Sequence, residues 1–226
     1  MNLRRLVDIT LAASAAVLSA PSLAAAAVVI LLDDGAPAIY KSERIGQGGS
    51  PFTLYKLRTM TKQADKSGID TTTTDDPRLL RSASFLRRSK LDEIPQLWNV
   101  LTGSMSIVGP RPNVPREVAK YDDRERGLLR VKPGLSCLSS VVFSDLGALL
   151  EGVGDANAAY ETQIRPLKSE LSLFYVERQS LRLDAIAIIL TLVAIPNPHR
   201  ARSLLVRWLE NSLPADVAQN ILALDR

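Results

Sequence analysis

From Ile9 to Leu32 the chain runs for 24 residues without a charged side chain, just after Arg4, Arg5 and Asp8. No other segment restricts the fold as strongly, because a helix of that length reaches about 36 Å and a hydrocarbon core is about 30 Å thick. Pro21 stands near its middle. Proline lacks an amide proton and crowds the carbonyl four residues back, here Val17, so the sequence predicts a kink or break there. Ser19 and Ser22 flank the proline and are expected to satisfy freed backbone groups, which lipid cannot do. Two geometries fit: a kinked helix that spans, and two half-helices that meet at Pro21, dip into one leaflet and return. A third reading is a cleaved secretory signal, with a basic start, an apolar centre and the small-residue stretch SLAAAA. Val28 to Leu32 carry the apolar run past any such cleavage site, and a lone cysteine has no use for an oxidising compartment. Retention in the membrane is the expectation.

The remaining chemistry is narrowly bounded. At 226 residues, one main domain with appendages is expected. Cys137 and His199 are the only residues of their types, which argues against a Cys/His zinc site and against histidine-based triads. A metal here would be a hard cation held by oxygen. The 28 basic residues exceed the 24 acidic ones, a balance that suits anionic partners without choosing among them. Nucleic acid is excluded on a separate ground: aromatics are only 5% of the chain, and no basic stripe is interleaved with them.

After the Asp33-Asp34-Gly35 turn, residues 38–60 read as two short extended pieces around Gly46-Gln47-Gly48-Gly49, a hairpin turn rather than a nucleotide loop. Lys56 and Arg58 lie two apart, so in a strand they share a face. Residues 61–82 read as a mobile polar loop in which Asp75-Asp76-Pro77-Arg78 opens a helix. Residues 79–90 form a basic amphipathic stretch, either a solvated face or one that lies against anionic headgroups. Residues 113–131 are expected to be helical until Lys132-Pro133-Gly134. Helix is expected again through 157–198, with the apolar run Ala185–Ile195 too short to span. In the tail, Leu204, Leu205, Trp208 and Leu209 share a face with Arg202 and Arg207 nearby, ready to dock on the core or to lie in the interface.

The most informative block is SKLDEIPQLWNVLTGSMSIVGPRP, residues 89–112. Ile94, Leu97, Trp98 and Leu101 form a helical stripe predicted to be buried, Gly103 stops the helix, and Pro95 places its first turn beside Asp92 and Glu93. Acidic residues favour a helix N-terminus for electrostatic reasons alone. Adjacent side chains on a helix diverge by about 100°, so Asp92 and Glu93 cannot flank one bond as glycosidase carboxylates do. One can instead attack phosphorus while the other holds a cation or orients substrate. A divalent ion and arginines would then offset the charge between carboxylate and phosphate, with Lys56, Arg58, Arg87 and Arg111 as suppliers. Prolines on both sides of Arg111 give its guanidinium a stiff mount, suited to a phosphate or to a structural salt bridge.

The runs SERIGQGGSPFTLYKLRTM, DDPRLLRSASFLRRSKLDEIPQLWNVLTGSMSIVGPRP, VKPGLS and YVERQSLRLDAIAII resemble the bacterial sugar transferase family, the small monotopic phosphoglycosyl transferases, over nearly the whole chain. The resemblance implies an α/β, α+β-like fold. Residues 1–35 would be a re-entrant membrane helix broken at Pro21 with Ser19 in support, and residues 36–198 a compact helix-rich catalytic domain with a small sheet and interfacial amphipathic helices. Residues 199–226 would be an amphipathic tail. It implies transfer of a sugar phosphate from a UDP-sugar to a polyprenyl phosphate such as undecaprenyl phosphate, releasing UMP, at the cytoplasmic face of the bacterial inner membrane. This would be the first membrane step of glycoconjugate assembly, with downstream glycosyltransferases as partners. Asp92 would be the nucleophile that forms a covalent phosphosugar intermediate, Glu93 would help to bind Mg²⁺, and Lys56, Arg58, Arg87 and Arg111 would contact phosphates or nucleotide. The chain departs from many relatives at Ser104, where an acidic residue is common, and across 136–152, a segment with a bearing on which sugar is accepted. The competing class is a catalytically silent membrane scaffold on the same fold, against which the intact Asp-Glu pair and basic set both argue.

Overall fold

The computed structural model describes residues 3–62, 64, 76–151 and 154–225. Its first element is a single helix, α1 (Leu3–Asp34), which carries Pro21 inside it. At 32 residues it is about 48 Å long, and it has the length and composition to cross a membrane. Asp8, Ala12, Ala26 and Ile30 are buried, while Val7, Leu11, Val17, Leu18, Val28, Val29 and Leu32 are exposed. One narrow, small-residue face therefore packs on protein and the larger apolar face points away from it. The Ser19 hydroxyl donates to the Ala15 carbonyl at 2.6 Å and that of Ser22 to the Ser19 carbonyl at 2.8 Å. The helix continues through Pro21, so the break expected there is not found; both serines bond carbonyls near the proline rather than that of Val17, because an i−4 or i−3 carbonyl is what a helical serine can reach.

Both ends of α1 dock on the same domain. At its start, Arg4 donates to the Val108 carbonyl and to Asp184 and Tyr175, while Asp8 accepts from Ser106 Oγ at 2.7 Å and the Ile107 amide at 2.9 Å. At its end, Arg58 pairs with Asp34 and donates to the carbonyls of Pro37 and Gly35, and Asp33 accepts from the Ser82 amide.

Strands β1 (Ile39–Ile45) and β2 (Pro51–Leu57) pair antiparallel across the expected glycine turn, with Tyr40 opposite Lys56. Asp76 to Arg78 form a turn rather than opening a helix, because both Asp76 oxygens are occupied by Arg78 side-chain nitrogens; the helix α2 (Ala83–Arg88) begins later. Most of the expected mobile loop, residue 63 and residues 65–75, lies outside the described residues. Helix α3 (Gln96–Thr102) ends at Gly103 as its sequence requires, with φ at 91°, a conformation glycine adopts without strain.

The predicted stripe of α3 is corrected: of its four residues only Leu97 is buried, Ile94 and Leu101 are half-buried, Trp98 is 58% exposed, and the other buried side chains of the helix are Gln96, Asn99 and Val100. The helix is wedged between α1 and β2, so its inner face is one residue round from the apolar periodicity. Strand β3 (Ser106–Val108) pairs in parallel with β4 (Gly134–Ser136). The strands therefore form two separate two-stranded sheets, not one. Between them, α4 (Pro115–Val118) and a short turn of helix at Glu125–Arg130 take up only part of the span expected to be helical.

The C-terminal half is helical: α5 (Leu138–Val142), α6 (Leu146–Leu149), α7 (Ala156–Ala159), a π turn at Tyr160–Ile164, α8 (Arg165–Glu177), α9 (Leu181–Ala194), α10 (Pro198–Leu209) and α11 (Ala215–Ala223). The tail docks on the core: Ala201, Leu205, Leu209, Val217 and Ile221 join the same apolar cluster as Leu138, Leu171 and Leu190. Arg202, fully buried, pairs with Asp145 at 2.7 Å and Asp225 at 2.6 Å and donates to the Val142 carbonyl at 2.9 Å.

Candidate active site

Asp92 and Glu93 sit in a single turn of 3₁₀ helix, Leu91–Glu93, just ahead of α3. The turn is entered through Lys90 in the left-handed region at φ 58°, unusual for a residue with a Cβ. Such backbone persists only where the surroundings fix it, and here the Lys90 amide donates to the Arg87 carbonyl while the Glu93 amide donates to that of Lys90. Successive side chains in the turn point apart, as the sequence reading required. Asp92 turns inward and Glu93 toward the Gly-Pro-Arg-Pro corner.

Asp92 is 4% exposed. Its Oδ2 faces Lys56 Nζ at 3.6 Å, and its Oδ1 is buried without a hydrogen-bond partner among the described residues. Burial raises the Asp92 pKa, against the pull of Lys56, and burial likewise lowers that of Lys56 against the pull of Asp92. Each group favours the charged form of the other, against burial. Lys56 is set in place through Asn99, whose side chain donates to the Thr53 carbonyl at 2.7 Å and accepts from the Tyr55 amide at 3.1 Å. The amide of α3 thus mimics a peptide on the free edge of β2 and fixes the strand beside the dyad turn. Ser104 serves the same joint, accepting from Asn99 Nδ2 and donating to the Asn99 carbonyl.

Glu93 Oε1 accepts from Arg111 Nη2 at 2.8 Å. Burial works against the Glu93 anion, but Arg111, with Lys90 behind it, holds the carboxyl down at about 2, and Glu93 in turn raises the Arg111 pKa. The stiff mount of Arg111 is a backbone seam as well as a pair of prolines. The Gly109 amide donates to the Ser136 carbonyl and the Gly134 amide to that of Pro110, and a Cβ on Gly109 would stand 2.4 Å from the Lys132 carbonyl oxygen.

Arg87 lies beside this group, half-buried, donating to Thr59 Oγ1 at 3.0 Å with its charge favoured by Asp92. Arg58 does not join the dyad. The strand ends at Leu57, the shared face with Lys56 is lost, and Arg58 locks the end of α1 instead. Pro21 and Ser19 are likewise remote, in α1. Lys90 was missed by sequence reading, since nothing in its type announces a left-handed backbone; its place two residues before the dyad was the available clue.

The sequence profile of the family described as bacterial sugar transferase matches residues 1–197. The chain belongs to the bacterial sugar transferase family. Three relatives of this sugar transferase illustrate its range. A Bacillus subtilis (strain 168) protein, named provisionally as an undecaprenyl-phosphate N-acetylgalactosaminyl 1-phosphate transferase, is 43% identical over 56% of this chain and 71% of its own. The UDP-glucose:undecaprenyl-phosphate glucose-1-phosphate transferase of Escherichia coli (strain K12) is 38% identical over 59% of this chain and 30% of its own. The UDP-N-acetylgalactosamine-undecaprenyl-phosphate N-acetylgalactosaminephosphotransferase of Aeromonas hydrophila is 32% identical over 88% of this chain and 45% of its own. This sugar transferase therefore spans less than half the length of two of the three. Those two are named for different sugars, so family membership leaves the donor sugar open.

Proposed function

We propose that this protein transfers a sugar phosphate from a UDP-sugar to a polyprenyl phosphate, undecaprenyl phosphate being the acceptor in the names of its relatives. The observation that carries the reading is the placement of Asp92: a buried carboxyl with one oxygen 3.6 Å from Lys56 Nζ and the other without a hydrogen-bond partner among the described residues. A carboxylate used only for packing or capping would have both oxygens satisfied. In the first step Asp92 Oδ1 attacks the sugar-bearing phosphorus, the P–O bond to the nucleotide phosphate breaks, and UMP leaves with that electron pair. In the second, an oxygen of polyprenyl phosphate attacks the same phosphorus and Asp92 departs as a carboxylate. Lys56 holds Asp92 ionised between the steps, and Arg111 presents a guanidinium fixed by Glu93 to the phosphate oxygens.

Among the described residues no three metal-ligating side chains cluster, so a cage made wholly of protein is not built here. A lone Glu93 carboxylate is enough for Mg²⁺, which keeps waters and takes one or two carboxylates together with substrate phosphates. Glu93 would hold it, and the ion would supply positive charge against the diphosphate. Both ends of α1 are bonded to one domain, which supports entry and exit through one leaflet in preference to a crossing. Val17 and Leu18, 74% and 82% exposed just before Pro21, would be the deepest part. With UDP-sugars made in the cytoplasm, the site would face the cytoplasm from the inner membrane.

The test is UMP release by purified protein in detergent, with Mg²⁺ and undecaprenyl phosphate, across a panel of UDP-sugars. Asp92→Asn is expected to abolish release and covalent labelling by sugar phosphate. Turnover retained in Asp92→Asn would remove Asp92 as nucleophile. Silence of the wild-type protein across the panel would favour the scaffold reading.

A further inference from the structure

Gln96 makes none of the contacts that hold the dyad, yet it is among the most enclosed polar side chains of the chain, 2% exposed. Its Nε2 carries two N–H donors and has no hydrogen-bond partner among the described residues. A buried amide left unpaired costs stability, so folds keep few of them. A second atom in the same condition, Asp92 Oδ1, lies four residues earlier in the chain.

The two residues belong to one helical trace. From the 3₁₀ turn Leu91–Glu93, Ile94 and Pro95 keep right-handed helical backbone into α3. Side chains four apart on such a trace are neighbours, with Cβ atoms about 5–6 Å apart. Contacts with β2 fix the direction in which they face. Three residues beyond Gln96, Asn99 bonds the Thr53 carbonyl and the Tyr55 amide; four residues before it, Asp92 faces Lys56 at 3.6 Å. Gln96 therefore stands between two points at which the trace meets the same strand, on the buried stripe that Asp92 and Asn99 share.

An acceptor and a donor on adjacent turns have every reason to bond each other, and these two do not. One group satisfies both at once. A phosphorus is electrophilic toward the carboxylate oxygen, and its non-bridging oxygens accept N–H donors. A neutral amide suits this place better than a further cation. A cation would hold Oδ1 as Lys56 holds Oδ2, whereas an amide donates to phosphate without adding a charge that competes for the nucleophile.

We propose that Gln96 is a catalytic residue of the first step, its Nε2 donating to a non-bridging oxygen of the sugar-bearing phosphate as Asp92 Oδ1 attacks. This rests on the transfer reaction proposed above. The bond from Oδ1 to phosphorus forms, the bond from phosphorus to the UMP oxygen breaks with its electron pair, and Gln96 keeps both its protons. Its contribution is to the charge spread over the phosphoryl oxygens in the transition state.

The test is the burst of UMP from UDP-sugar by full-length protein in detergent, with Mg²⁺ and no polyprenyl phosphate, so that only the first step runs. Gln96→Met keeps the length of the side chain and removes both donors. It should slow the burst about a hundredfold, the cost of one preorganised donor to a reacting oxyanion. It should melt no lower than wild type, because the amide it replaces is unpaired. UMP, which lacks the transferred phosphoryl group, should bind variant and wild type equally by isothermal titration calorimetry. Gln96→Glu keeps the shape without the donors and should be slow as well. A burst at the wild-type rate in either variant overturns the proposal. A Gln96→Met protein that melts several degrees lower also overturns it, making the amide a packing element, and weakened UMP binding does so by assigning the amide to the nucleotide. Wild-type protein that releases no UMP from any UDP-sugar sinks the transfer reaction and this role with it, a result distinct from a burst that survives in the variants.

Discussion

Replacing Arg202 by methionine tests how the C-terminal tail is held. The guanidinium is fully buried and donates to both oxygens of Asp145, to Asp225 and to the Val142 carbonyl at the end of α5. Methionine fills much of the volume but takes the guanidinium from every acceptor, leaving Asp225 with His199 Nδ1 alone. Breaking a buried ion pair costs about 3–5 kcal/mol, and the low end applies, because the Asp145 and Asp225 side chains are 22% and 20% exposed and can rehydrate. The Val142 carbonyl cannot, which keeps the loss near about 3 kcal/mol. For a chain of this size, about 2–4 °C per kcal/mol translates that into a melting temperature lower by about 6–12 °C. The assay is thermal unfolding in detergent followed by tryptophan fluorescence, with Trp208 on α10 itself as a local reporter. Asp225→Asn should cost about 1 kcal/mol, since Asp145 still pairs with the guanidinium. A fall below about 2 °C for Arg202→Met would refute the reasoning and reduce the tail to an appendage.

Three further outcomes are expected. Lys56→Met removes the charge that keeps Asp92 ionised against burial, so the rising limb of the pH–rate profile for UMP release should move to higher pH, with activity regained in alkaline buffer. A fall that is uniform across pH would show that Lys56 acts only as a substrate contact. The Glu93 carboxyl is depressed from 4.5 to about 2, so the Arg111 pair adds stability above about pH 4.5 that is lost as pH falls toward about 2. The shift corresponds to about 3 kcal/mol, reduced to about 1 kcal/mol because the Arg111 side chain is 45% exposed. Arg111→Gln should therefore melt about 2–4 °C lower at pH 7, with the gap narrowing below pH 4.5 and closing only as pH reaches about 2; a gap independent of pH would point to another cause. Pro21→Leu should favour a crossing geometry, read as opposite accessibility of tags at the two ends to a membrane-impermeant reagent. Unchanged accessibility would show that docking of both helix ends, not proline, sets the topology.

The chain declared its local features well and its long-range partners poorly. Gly103, Pro95 and the glycine-rich hairpin act through their own backbone geometry, so their roles were legible in order along the sequence. The divergence of Asp92 and Glu93 was equally local. Trp98 was misplaced because apolar periodicity reports which residues avoid water, and a tryptophan beside a membrane helix can do so without entering the core. Arg58 shares its motif with Lys56, yet the end of β2 between them sends it to α1, a break that no spacing rule sees. Asn99 was invisible for the same reason. It acts on Thr53 and Tyr55 of β2, 46 and 44 residues back in the chain, and nothing in a polar residue's type names the partner that folding brings to it.

In many membrane proteins the anchor is detachable, and cutting it frees a soluble domain. Here α1 is a wall of the building. Ala12 closes over Leu54, Leu97, Val100 and Met105, and Ala26 and Ile30 close over Leu57, Ala83 and Leu86. A chain that began after Asp34 would bare both clusters to water, strand Arg58 without its carboxylate, and leave Ser106 and Ile107 without Asp8, two residues from the seam that carries Arg111. Solubility gained by that cut would come with a collapsed site, so the dyad and the apolar helix that walls it must be inherited, expressed and purified as one object.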